Sequence, residues 1–235
     1  MPAPLPSNPE PMSTALHLRL RLAFAAALGL LANTRPAAAA ATPSEPLTPL
    51  VSKADKLLFA DDFNALKPVW GVGKGDWKIV DGTARGGERP EDKHKAGIGH
   101  KEKLRDCVIR LVFALDGAKS VEISLIKLDA AGEREHVCRV AFGAESLKLY
   151  AQTGMGQTTK NILIGEQPMK LVPGQRYTAL VECVGNRLVA QVSNGAVARG
   201  TSDVLAGEKE SLNLTVNGTT GVFDEVKVWN ALPQP

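Results

Sequence analysis

Apolar and polar residues alternate with a period of two through most of the chain after residue 56, and nothing else in it constrains the fold as strongly. The clearest case is "TALVECVGNRLVAQVSNG" (178–195). Gly185-Asn186 reads as a two-residue hairpin turn that tolerates positive φ. That turn pairs Cys183 with Leu188, Val181 with Ala190 and Ala179 with Val192 on one apolar face. Val184 with Arg187, Glu182 with Val189 and Leu180 with Gln191 fall on the other. A slip of one residue would exchange the two faces, so the agreement fixes the register.

The same period recurs in four more segments. "DCVIRLVFALDG" sets Cys107, Ile109, Leu111 and Phe113 against Arg110. "SVEISLIKLD" sets Val121, Ile123 and Leu125 against Glu122 and Ser124. "HVCRVAF" separates Cys138, Val140 and Phe142 from Arg139, and "SLKLYAQ" separates Leu147 and Leu149 from Lys148 and Tyr150. Turn clusters ("LDG", "DAAG", "FGAES", "VPGQ", "VNGTTG") punctuate these strands, and no helical stripe interrupts them. The expected fold is all-β: an antiparallel two-sheet β-sandwich of jelly-roll type.

The N-terminal region has a different character. Arg19 and Arg21 precede an apolar run, Leu22 to Leu31, and small residues at Ala39-Ala40-Ala41 offer a cleavage site. Residues 1–41 read as a secretory signal segment outside the fold, with Met12 as an alternative start. The apolar run falls short of the about 20 residues of a spanning helix, so no membrane span is expected. A Pro-rich linker (42–55) leads into one domain over 56–232, and the expected location is secreted or periplasmic, in the cell envelope.

Removing the signal takes Arg19, Arg21, Arg35 and Glu10 from a balance of 28 Lys/Arg against 25 Asp/Glu, and leaves the domain close to neutral. Nucleic acid as a partner would need a basic field that this chain lacks. In "EDKHKAGIGHKEKLRD" (91–106) acids interleave with the lysines, the pattern of a solvated loop. Cys107, Cys138 and Cys183 are widely spaced and each sits in an apolar pattern, so they are expected as inert core thiols.

Chemical motifs are few. "WGVGKGDW" lacks the G-K-[ST] and the following helix of a phosphate loop. His94 and His100 fall in the charged segment and His136 opens a strand, with no spacing that makes a metal cluster. A retaining glycosidase needs two carboxyls about 5 Å apart, which alternate positions on one strand supply. Glu133 with Glu135 and Glu208 with Glu210 have that offset but lie in turn regions. Asp224 and Glu225 are adjacent, so on a regular strand they point to opposite faces.

"LLFADDFN" (57–64), "GDWKIVDGTARGG" (75–87) and "FDEVKVWN" (223–230), in that order, resemble the concanavalin A-like lectin/glucanase superfamily, nearest to its secreted 3-keto-disaccharide hydrolase family. The resemblance implies first and last strands that are neighbours and a concave sheet that meets carbohydrate. It implies one structural calcium held by Asp224 and the Asp62 segment; the alternative is a solvated strand end. Glu122 is the implied catalytic acid, with Arg110, Ser124, Arg139 and Tyr150 on the same sheet face. The alternative for Arg110, Glu122 and Arg139 is an exposed cross-strand charge ladder. Trp70 and Tyr150 are the candidate sugar-stacking surfaces. The family's N-S-G-I segment is missing: "ALDGAKSVEIS" has a tight turn in its place. Two functions stay open, a secreted carbohydrate-active hydrolase and a non-catalytic glycan-binding or cell-envelope structural module.

Overall fold

The computed structural model describes residues 46–154 and 156–234, so the expected signal segment lies outside the described residues. The strands begin with β1 (Ser52–Asp61), β2 (Trp70–Lys74), β3 (Asp76–Val80), β4 (Thr83–Gly87) and β5 (Ala96–Leu104). There follow β6 (Cys107–Leu115), β7 (Ala118–Leu128), β8 (Arg134–Gly143), β9 (Ser146–Thr153) and β10 (Lys160–Pro168). The last are β11 (Tyr177–Val184), β12 (Arg187–Val192), β13 (Val197–Thr201), β14 (Lys209–Gly218) and β15 (Gly221–Pro233). A back sheet is ordered β13-β12-β11-β6-β15-β4-β3, with β1 also paired to β15. A front sheet is ordered β10-β9-β8-β7-β14-β5-β2. The fold is the expected all-β antiparallel sandwich.

The hairpin β11–β12 has all six predicted pairs, and Gly185 takes φ +55° at its turn. The first and last strands are neighbours: Ser52 lies opposite Pro233 and Asp61 opposite Val226. Between the sheets, Val121, Ile123 and Leu125 of β7 share one core with Ile109, Leu111 and Phe113 of β6. Phe113 and Phe142 meet there with ring centroids 4.8 Å apart. Each such side chain contributes about 1.5–3 kcal/mol on burial.

The turn between β6 and β7 does not close a hairpin. Gly117 takes φ +94°, and the amides of Asp116 and Ala118 both donate to Thr220 O, at 3.0 and 2.9 Å. A Cβ on Gly117 would stand 2.4 Å from Thr219 Oγ1. The chain thereby leaves the back sheet and enters the front one, so strands adjacent in sequence lie in different layers.

Two local expectations need correction. The segment 91–106 is not a solvated loop: Ala96–Leu104 form β5, with Ala96, Ile98 and His100 buried at alternate positions. Small and aromatic residues there carry the period that the lysines mask. In β15 the register slips between Phe223 and Glu225, so two residues oppose one on β6. Phe223 and Val226 both reach the core, which leaves Asp224 and Glu225 half-buried side by side instead of on opposite faces.

The outer face of the back sheet is covered at β11. Buried Glu182 accepts bonds from Leu50 N (2.7 Å), Val51 N (3.0 Å) and Ser52 Oγ (2.7 Å), while Gln191 donates to Thr48 O (2.8 Å). Leu180, Val184, Val108 and Ala231 form a small second apolar cluster there, with Leu47 packed against it.

Candidate functional site

The outer face of the front sheet is polar, and its cross-strand register sets the residues in rows. Asn213, Ser124, Arg139 and Tyr150 follow one another across β14, β7, β8 and β9. The adjacent row runs Thr215, Glu122, Ala141, Lys148. Gln152 of β9 lies opposite Asn161 of β10. Residues 88–95 on one side and 156–161 on the other take part with this face in lining a hollow of about 530 Å³. Its surface includes Lys95, Glu122, Ser124, His136, Arg139 and Gln152. The hollow explains why outward-pointing side chains are nonetheless buried: Glu122, Ser124 and Gln152 are each 4% exposed.

Glu122 is held by its neighbours. Lys95 Nζ donates to Oε1 at 2.6 Å, Ser120 Oγ donates to the same oxygen at 3.2 Å, and Arg139 Nη1 stands 3.8 Å from Oε2. Arg139 in turn lies over the Tyr150 ring, 4.4 Å from its centroid, a cation–π contact. Tyr150 therefore supports Arg139 with one face of its ring. Gln152 Nε2 donates to Asn161 Oδ1 at 2.7 Å. His136 is held below its ordinary pKa by burial first, then by the cations of Arg134, Arg139 and His94.

Three polar atoms in this hollow are buried without a partner: His136 Nδ1, Arg139 Nε and Gln152 Oε1. Such groups cost about 1–3 kcal/mol each when left unpaired. A second hollow of about 600 Å³, with Lys101, Ile126, Leu128, Arg134 and Ser211 in its lining, contributes none. This contrast selects the first as the candidate site.

The structure brings Glu122, Ser124, Arg139 and Tyr150 to one face, as expected. Arg110 is not with them. It sits on β6 in the back sheet and pairs with Glu225, because the Gly117 turn changes sheets. Trp70 is no sugar platform: it is 3% exposed and packed against Phe59, Phe63 and His100, with Nε1 donating to Asp61 Oδ2 at 2.9 Å. Asp62 binds Asn64 Nδ2 at 2.7 Å, and Asp224 pairs with Arg176. Among the described residues no group of three or more His, Cys, Asp or Glu side chains is placed to hold a metal ion. With each acid committed to its own partner, the side chains present do not fit the implied calcium.

Sequence reasoning missed Lys95, His136, Gln152, Asn161, Thr215 and Asn217 as members of the hollow. A signal existed for three of them. Gln152 continues the polar period of Lys148 and Tyr150, and "SLNLTVNG" sets Asn213, Thr215 and Asn217 against Leu212, Leu214 and Val216.

No family model matches the chain, and no curated protein matches it. Solved structures do. A carbohydrate binding module, CBM66, from Bacillus subtilis superposes with TM-score 0.55 at 16% identity, over 69% of this chain and 96% of that one. A Bacillus subtilis protein of unknown function with a galectin-like fold gives 0.61 at 10% identity, over 78% and 100%. A prokaryotic β-1,3-1,4-glucanase (lichenase) from a mouse hindgut metagenome gives 0.52 at 11% identity, over 74% and 99%. The likeness is one of fold. It places the chain among jelly-roll sandwiches that include carbohydrate-binding modules and glucanases.

Proposed function

We propose that the front-sheet hollow binds a saccharide and that the domain is a carbohydrate-recognition module exported to the cell envelope or beyond it. The observation that carries this is the trio of buried, unpartnered atoms on β8 and β9: His136 Nδ1, Arg139 Nε and Gln152 Oε1. A sugar hydroxyl donates one hydrogen bond and accepts others, so a ring with several hydroxyls suits such a mixed set. The functions printed for the structural neighbours, a carbohydrate binding module and a glucanase, support the same class.

Hydrolysis is the second reading, favoured by Glu88, which lines the same hollow as Glu122 and supplies a second carboxylate. On this reading the activity is that of a 3-keto-disaccharide hydrolase, with Glu122 as general acid/base. Against it stands the engagement of both Glu122 oxygens by Lys95, Ser120 and Arg139. A free catalytic carboxyl would face the glycosidic oxygen instead.

One experiment separates the two. The full chain and its Glu122→Gln variant are titrated with β-1,3-1,4-glucan oligosaccharides, other neutral and acidic oligosaccharides, and 3-keto-disaccharides, and products are followed by chromatography. Saturable binding without products is the expected result. Turnover that disappears in Glu122→Gln establishes the hydrolase, and absence of both binding and turnover refutes saccharide recognition.

A further inference from the structure

The three cysteines, far apart in sequence, meet in the core. Cys107 on β6 and Cys183 on β11 lie directly opposite each other in the back sheet. Cys138 on β8 belongs to the front sheet, and its thiol hydrogen-bonds Cys183 across the sandwich. All three are buried. Beside them lies Lys209, the first residue of β14, 0% exposed. Its Nζ donates to Arg105 O at 2.7 Å and also bonds Cys183. Among the described residues no carboxylate lies within ion-pair distance of it. A buried ammonium with only a carbonyl and a sulfur as partners favours negative charge on that sulfur. Accordingly Cys183 is held below its ordinary pKa, first by the bond from Cys138 and with help from Lys209, against the opposing effect of burial. Donating that bond, and burial, push Cys138 up.

We propose that Cys138 and Cys183 form a disulfide joining the two sheets when the chain folds in oxidising surroundings, with Cys107 left as a free thiol. Cys138 is chosen over Cys107 because its thiol itself bonds the Cys183 sulfur, whereas the hydrogen bond between Cys107 and Cys183 involves backbone. The oxidant is a low-molecular-weight disulfide. The Cys183 thiolate attacks one of its sulfurs, forming a mixed disulfide and expelling one thiolate. Cys138 gives up its proton and attacks the Cys183 sulfur, forming the inter-sheet bond and expelling the second thiolate. Two cysteine thiols are oxidised and one small disulfide is reduced to two thiols. Burial keeps oxidants from the finished core, so the exchange precedes closure of the sheets. The inference does not depend on what the hollow binds.

The test is to unfold and reduce the full chain, refold it in a buffer of reduced and oxidised glutathione, alkylate it, and map its peptides by mass spectrometry without reduction. The expected result is a linked Cys138–Cys183 peptide, lighter by two hydrogens, with Cys107 alkylated. The Cys107→Ala variant should keep the link and Cys138→Ala should lose it. Alkylation of all three cysteines in the refolded wild type overturns the proposal, as does a link that contains Cys107. The wild-type map decides the matter even if a variant fails to fold.

Discussion

Gln152 donates its side-chain amide to Asn161 across β9 and β10, and this bond leaves Gln152 Oε1 buried and unpartnered in the hollow of the front sheet. The arrangement separates binding from stability. Replacing the side chain by an apolar one of similar size removes an unsatisfied acceptor along with one hydrogen bond, which nearly offset each other. Gln152→Leu should therefore hold its unfolding free energy within about 1 kcal/mol of wild type. The same variant should bind the saccharide found in the panel at least about tenfold more weakly, close to 1.4 kcal/mol. Urea unfolding and calorimetric titration measure the two quantities; unchanged affinity would remove Gln152 from the site.

Two histidines predict a dependence of stability on pH. Both His136 and His100 are held below the ordinary histidine value, in each case by burial first. Around His136 the cations Arg134, Arg139 and His94 add to the effect, whereas Glu102 and Asp61 oppose it at His100. The unfolded chain takes up these protons near pH of about 6.5, the folded chain only below that. Unfolded protein therefore binds more protons over that interval, and stability falls with acidification. It should be full above about pH 7 and decline from about pH 6.5 downward. Asp61, Asp92 and Glu135, whose values are lowered, act in the same sense only nearer pH of about 4. His136→Gln and His100→Gln should each flatten the change in urea midpoint between about pH 7.5 and 5. An unaltered slope in both variants would contradict it.

Asp61 is a fixed point at the start of the fold. Its Oδ1 accepts from Phe63 N and Lys67 Nζ, both at 2.9 Å, and its Oδ2 from Trp70 Nε1 at 2.9 Å. Phe63 is fully buried in the left-handed region at φ +52°, a conformation this acceptor helps hold. Asp61→Ala leaves a backbone amide and an indole N–H unpaired, and should lower stability by about 3 kcal/mol. Tryptophan fluorescence during urea unfolding reads the loss, and a change below about 1 kcal/mol would show that water replaces the carboxylate.

Glu182 fastens the lead-in segment to β11 through Leu50, Val51 and Ser52. Glu182→Ala should speed hydrogen exchange of the Leu50 and Val51 amides about tenfold or more while the β14–β7 ladder stays protected. Exchange that rises uniformly through both sheets would mean that Glu182 supports the whole domain instead.

The legible part of the site was the part that period two reaches. Glu122, Ser124, Arg139 and Tyr150 alternate with core residues on β7, β8 and β9, so their common face followed once those strands were paired. Lys95 and His136 were hidden for another reason. Lys95 reaches Glu122 from a segment whose charge suggested a loop, and His136 sits where the register of β7 with β8 shifts between Leu125 and Ile126. A bulge leaves no mark on a hydrophobic pattern, which is why Asp224 and Glu225 were also assigned to opposite faces.

What the amino-acid order determined by itself is local: which residues of each strand face inward, and the register of the β11–β12 hairpin, because the pleat alternates and a tight turn leaves one pairing. Which sheet each strand joins was decided only in three dimensions. Arg110 and Glu122 belong to consecutive strands, and a single turn at Gly117 sends them to opposite layers. Strand order depends on contacts between distant segments, such as β14 beside β7 and β15 beside β6, and those contacts decide which polar side chains share a hollow.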